Sequence, residues 1–170
     1  MYYQFPLQTL ARSNDDRPQL DFARNAKLVL PESDEVFLEP FEDGLAIFAA
    51  NEDALVPPRQ LLEEVYGAAV EIRPPNVRLI AGEPVQEPVM NVRVRAQRCH
   101  IREVLHVLRF RGVRIVEECL RPREFIVRGQ APMRNLMGLP EELAGLTEGV
   151  ASHWIRLAHY APVPEAGDAP

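Results

Sequence analysis

From residue 91 to 97 apolar Val92, Val94 and Ala96 alternate with Arg93, Arg95 and Gln97. Alternation at period two predicts a strand with one apolar and one polar face. Ile101, Val104, Leu105 and Leu108 follow at i, i+3, i+4 and i+7, the spacing of one side of a helix, which should end near the glycine of RFRGVRI. VRIVEEC and EFIVRGQ read as two further strands joined by a short LRPR turn. A second helical stretch starts at Pro132 and is interrupted by Pro140, and TEG turns the chain into the strand ASHWIRLAHY. The order β, α, β, β, α, β is the split βαβ arrangement, a four-stranded antiparallel sheet with two helices on one face.

The first half follows a looser version of the same plan. An aromatic start (Tyr2, Tyr3, Phe5) runs into the turn-rich SNDDRP, which suggests a first strand and then a short helix over about Pro18 to Ala26. LVL and VFL are short apolar runs separated by PESDE, and GLAIFAA is a third with glycine at its entrance. Asn51 or Asp53 can cap a helix whose first turn holds Pro57 and Pro58. Leu61, Leu62, Val65 and Tyr66 form its apolar stripe, Gly67 supplies a left-handed stop, and AAVEIR closes the unit as a strand. The chain therefore reads as an α+β protein of two tandem ferredoxin-like units.

Composition agrees with that picture. At 170 residues, 46% hydrophobic and 26% charged, the chain can bury a core and is long enough for one medium or two small domains. The proline-rich stretch 74–88 is the expected boundary, placing one unit at 1–80 and the other at 87–164, with 165–170 as a loose tail. No apolar run approaches the ~20 residues of a membrane span. The start has no basic flank with an apolar stretch of the kind that marks a secretory signal. Cys99 and Cys119 make no disulfide framework. A cytoplasmic protein without membrane partners is the expectation.

Charge is uneven along the chain. The net −6 resolves into −9 for residues 1–90, +6 for 91–131 and −3 for 132–170. An acidic chain repels nucleic acid at long range, so phosphate binding would have to be carried locally by the middle segment. The same asymmetry would favour docking of the acidic first unit on the basic segment. Only Lys27 stands against 18 arginines, a bias that suits bidentate contacts and equally suits a biased genome.

On these residues a family resemblance emerges. EPVMNVRV, VLRFRGVRI, GLTEGVASHWIRL and AHYAPVP, spanning Glu87 to Pro164, resemble the C-terminal domain, domain V, of the elongation factor G family of translational GTPases. More faintly, FEDGLAIFAANEDALVPPRQLLEEVYGAAVEIRPPNVRLI is similar to domain III of that family, joined to the second unit as in members of the BipA type. It departs from domain III in having AANEDALVPP where the family carries an acidic, histidine-containing motif. The resemblance implies ribosomal ancestry and a docking surface. The phosphate-wrapping motif Gly-x-x-x-x-Gly-Lys-Ser/Thr is absent from these residues, because the one lysine follows Ala26. Neither nucleotide nor another cofactor is expected here.

Arg102, His106 and Arg109, at i, i+4 and i+7, form a basic stripe beside the apolar one. In the domain it resembles, this helix lies near ribosomal RNA. Guanidinium groups would grip phosphate and His106 would add charge when protonated, while the plain alternative is a solvated helix face. Arg93, Arg95, Arg114 and Arg128 should share the sheet face left open by the helices, an additional basic surface. That face shows no aromatic pair for stacking bases, so its arginines are expected to meet Glu118, Glu124 or the acidic first unit.

Other chemistry finds little support. Cys99, His100, His106 and Cys119 fit no paired-ligand spacing, so no metal is expected and the thiols read as buried or incidental. Ser13, Ser33 and Ser152 lie in no nucleophile elbow, and Glu63/Glu64 and Glu141/Glu142 diverge on helices, so no catalytic residue is assigned. Met133, Leu136 and Met137 read as core, and Trp154 as a core or domain-interface residue. The sequence thus favours a non-catalytic, translation-factor-like protein that binds a ribosome or other RNA. Two alternatives stand beside it: an adaptor that binds protein through a sheet edge or the acidic unit, and a small-molecule regulator.

Overall fold

A computed structural model describes residues 3–164; the aromatic Tyr2 and the tail expected at 165–170 lie outside them. The chain divides into two compact units, Met1–Arg78 and Leu79–Pro170. In the first, β1 (Leu7–Ser13), α1 (Gln19–Val29), β2 (Val36–Phe41), β3 (Gly44–Ala49), α2 (Glu52–Tyr66), β4 (Val70–Ile72) and the two-residue β5 (Asn76–Val77) follow in order. The sheet runs β2-β3-β1-β4, all antiparallel, with β5 added to β1.

Helix α1 is placed by its first side chain. Gln19 donates to the Ser13 carbonyl at 2.9 Å and accepts from the Ser13 amide at 2.8 Å, which ties the helix start to the end of β1. Phe22, Ala23 and Ala26 then bury against the sheet. The helix continues through Leu28 and Val29, so LVL is its last turn and not a strand. A run of three apolar residues cannot separate the two by period, and Leu28 lies on the outer side, 85% exposed. In α2, Asn51 accepts from the Ala54 amide at 2.9 Å, as a cap should. Because the helix starts at Glu52, Pro57 and Pro58 fall inside it and not in its first turn. Its buried side is Ala54, Leu55, Pro58 and Leu62, with Val65 of the expected stripe exposed. Gly67 ends α2 at φ +54°, a conformation that costs glycine nothing.

The second unit contains β6 (Gln86–Gln97), α3 (Ile101–Phe110), β7 (Arg114–Leu120), β8 (Glu124–Pro132), α4 (Met133–Leu136), α5 (Leu139–Leu146) and β9 (Ser152–Pro162). Its antiparallel sheet runs β7-β8-β6-β9. Val92, Val94, Ala96, Phe125, Val127 and Ile155 point to the helix side and bury with Val104, Leu108, Met133, Leu136, Leu139 and Leu143. The expected second helix is two pieces, and the break lies at Gly138 (φ +80°), not at Pro140, which occupies the first turn of α5. Proline is tolerated there because its missing amide would be unpaired. After α5, the fully buried Thr147 donates to the Leu143 carbonyl at 2.7 Å and accepts from the Ala151 amide at 3.0 Å. One hydroxyl thereby closes the helix and launches β9, which is the physical content of the LTEG signature. No helix among the described residues is long and apolar enough to cross a membrane.

Candidate nucleic-acid interface

Helix α3 presents Arg102, His106 and Arg109 on one exposed side, in the geometry their spacing predicts. The other side buries Val104, Val107 and Leu108. Two features escape a reading of the sequence. Phe110, 84% exposed, stacks against His106 with ring centroids 6.4 Å apart and planes at 21°. With Leu105 these residues line a shallow depression. A signal for it does exist along the chain: Phe110 is four residues beyond His106 and off the apolar stripe. The second feature is Arg111, which caps the helix and donates to the carbonyls of Asn135 and Met137 at 3.1 and 2.8 Å while pairing with Glu142 at 2.6 Å. These contacts fix the end of α3 to the α4–α5 passage. Arg109 meets Glu118 of β7 at 3.6 Å, a pair so exposed that it contributes little to stability.

The four sheet arginines do share one face. Across the strands Arg93 stands opposite both Arg128 and Trp154, Arg95 opposite Ile126 and Ser152, and Arg114 opposite Gln130. Two of them are paired: Arg95 with the expected Glu124 at 2.6 Å, and Arg128 with Glu117 at 2.8 Å, a partner the sequence reading did not name. Glu118, the other expected partner, is met from the helix by Arg109 instead. Glu124 also receives Arg121 at 3.2 Å. Its carboxyl is held below the usual carboxylate range, chiefly by the hydrogen bond from Arg95, against the opposing effect of partial burial and with help from the charges of Arg95 and Arg121.

Among the described residues the face carries a single aromatic and not a pair, and the reading of Trp154 as a core residue is corrected. Trp154 lies on it, 39% exposed and outside the core, with the guanidinium carbons of Arg93 and Arg156 each 5.6 Å from its ring. Elsewhere, the buried Glu87 is held by Arg134 through bonds of 2.7 and 3.3 Å, which compensates its desolvation. Cys99 and Cys119 are free and exposed, not buried. Among the described residues no three His, Cys, Asp or Glu side chains converge as a metal would require.

Strand order and connectivity make each unit a ferredoxin-like domain, the second with Arg102 and Arg109 exposed on its helix α3 and Arg93, Arg95, Arg114 and Arg128 on the open face of its sheet. The family model described as elongation factor G C-terminus matches residues 84–168, half of the chain, and the chain belongs to that family. An elongation factor G from Granulibacter bethesdensis is 32% identical over 84 residues, and one from Gluconobacter oxydans 30% identical over 84. Each alignment covers 49% of this chain but 12% of the relative, so the chain spans about an eighth of those proteins. A crystal structure from Thermus thermophilus superposes with a TM-score of 0.67 at 14% identity, covering 95% of this chain and 41% of that one; at that identity the likeness concerns the fold.

Proposed function

We propose that the chain is a non-catalytic, translation-factor-like binding protein that docks on the ribosome, or on another RNA-containing partner, through the exposed side of α3. Arg102 and Arg109 grip phosphate, and His106 with Phe110 supplies a flat surface beside them. The observation that carries this reading is the exposed Arg102, His106, Arg109 and Phe110 side of a helix whose end is anchored by Arg111, in a domain of elongation factor G type. The work of such a surface is binding in an aqueous, cytoplasmic setting, with neither cofactor nor nucleotide.

Co-sedimentation with ribosomes tests it. Contacts to phosphate release counterions, so recovery in the pellet should fall steeply between about 50 and 200 mM salt. Arg102→Glu combined with Arg109→Glu should reduce it at least about tenfold while leaving the circular dichroism spectrum unchanged. Co-sedimentation indifferent to salt and to both substitutions would refute the α3 contact and point to a protein partner. An absence of any ribosome association would remove the ribosomal reading.

A further inference from the structure

On the open face of the second sheet, one cross-strand row runs Glu117, Arg128, Arg93, Trp154 from β7 to β9, and the next runs Arg114, Gln130, Asn91, Arg156. The indole is exposed and flanked by the guanidinium groups of Arg93 and Arg156. In the neighbouring row Arg114 donates to the Gln130 side-chain oxygen at 3.1 Å, and Gln130 donates to the Asn91 side-chain oxygen at 2.8 Å. That relay orients the two amides and leaves the Asn91 amide hydrogens as donors at its end. Five arginines (Arg93, Arg95, Arg114, Arg128, Arg156) stand against two glutamates (Glu117, Glu124) on this face, a surplus of positive charge in an otherwise acidic protein.

We infer that this face is a second binding surface, separate from α3, for an unpaired segment of RNA. A base stacks on Trp154 and the phosphates that follow it lie against Arg93 and then Arg128, the next two positions along the row. Stacking on an aromatic or guanidinium plane requires a base whose π-face is free, which a duplex does not offer. The positive surplus selects a polyanion over an ordinary protein surface. The Asn91 and Gln130 amides provide the donor and acceptor that a ribose 2′-hydroxyl can engage. Because α3 packs on the opposite side of the sheet, neither surface needs the other.

The chain contains a single tryptophan, so the site reports on itself. Titration of the full chain with an oligouridine of about twelve nucleotides, within the usual site sizes of ~4–16, should quench the Trp154 emission, and less so as salt rises. With labelled RNA and anisotropy detection, Trp154→Ala should raise Kd about tenfold or more, and Trp154→Phe, which keeps a ring, much less. Arg93→Glu with Arg128→Glu should abolish binding. Arg102→Glu with Arg109→Glu should leave the quenching unchanged, which separates this surface from the α3 reading. Unquenched emission at saturating oligouridine, wild-type affinity in Trp154→Ala, or equal affinity for duplex RNA or oligothymidine would each overturn the inference.

Discussion

Glu124 lies between two guanidinium groups, one from β6 and one from the turn before β8, and its lowered titration range has a directional consequence. A carboxyl whose pKa is depressed on folding stabilises the native state above its unfolded value of about 4.3 and loses that contribution as pH falls through the folded value. The carboxyl carbon of Glu124, followed by NMR, should therefore titrate below free glutamate, and Arg95→Gln should bring it back toward the ordinary range. A midpoint unmoved by that substitution would mean that the hydrogen bond from Arg95 is not the cause. This pairing is legible in the residue types along the chain. The exposure of Trp154 runs against the sequence reading, because the size of an indole argues for an inward place. Its parity with Ser152 and Arg156, and not with His153, Ile155 and Leu157, is the signal that places it on the open face. The pairing of Glu87 with Arg134 joins residues 47 apart, and no local pattern could have shown it.

At the scale of elements, periodic segments are legible and boundaries are not. The alternation in β6 survives intact, whereas the apolar stripe of α3 keeps Val104 and Leu108 but buries Val107 in place of Ile101 and Leu105, which are only partly covered. The prolines mislead about the start of α2, although Asn51 is recognisable as a candidate cap. The second helical stretch breaks where Gly138 adopts a left-handed conformation that sequence period does not encode. A close approach at Gly129 is also invisible along the chain: a Cβ there would lie 2.6 Å from Val113 Cγ1 and 2.7 Å from the Arg114 carbonyl oxygen. Gly129→Ala should therefore cost about 1–3 kcal/mol through overpacking against the entry to β7, seen as a lowered urea midpoint. Gly145→Ala, in α5 with open space around it, should leave the midpoint unchanged or slightly raised. Equal midpoints for the two variants would show that β7 yields without cost.

The two units repeat one plan. Strand order β2-β3-β1-β4 in the first is the order β7-β8-β6-β9 in the second, so the tandem arrangement is visible in the sequence once the succession of periods is written down. The second unit draws its sheet and the buried apolar side chains beneath it from its own residues. Residues 79–164 expressed alone should unfold in a single cooperative urea transition with superimposable circular dichroism and fluorescence curves; broad or divergent curves would mean that the first unit is needed to complete it. One detail of this unit reaches beyond the single molecule. Strand β7 is an outer strand bearing exposed Val116 and Leu120, the kind of border that zips onto neighbouring chains when concentrations rise. Its register slips between Ile115 and Glu117, leaving Val116 without a cross-strand mate, and two acidic side chains, Glu117 and Glu118, follow at once. Repairing that slip by deleting Val116 would straighten the border and turn a self-avoiding rim into a template for filaments.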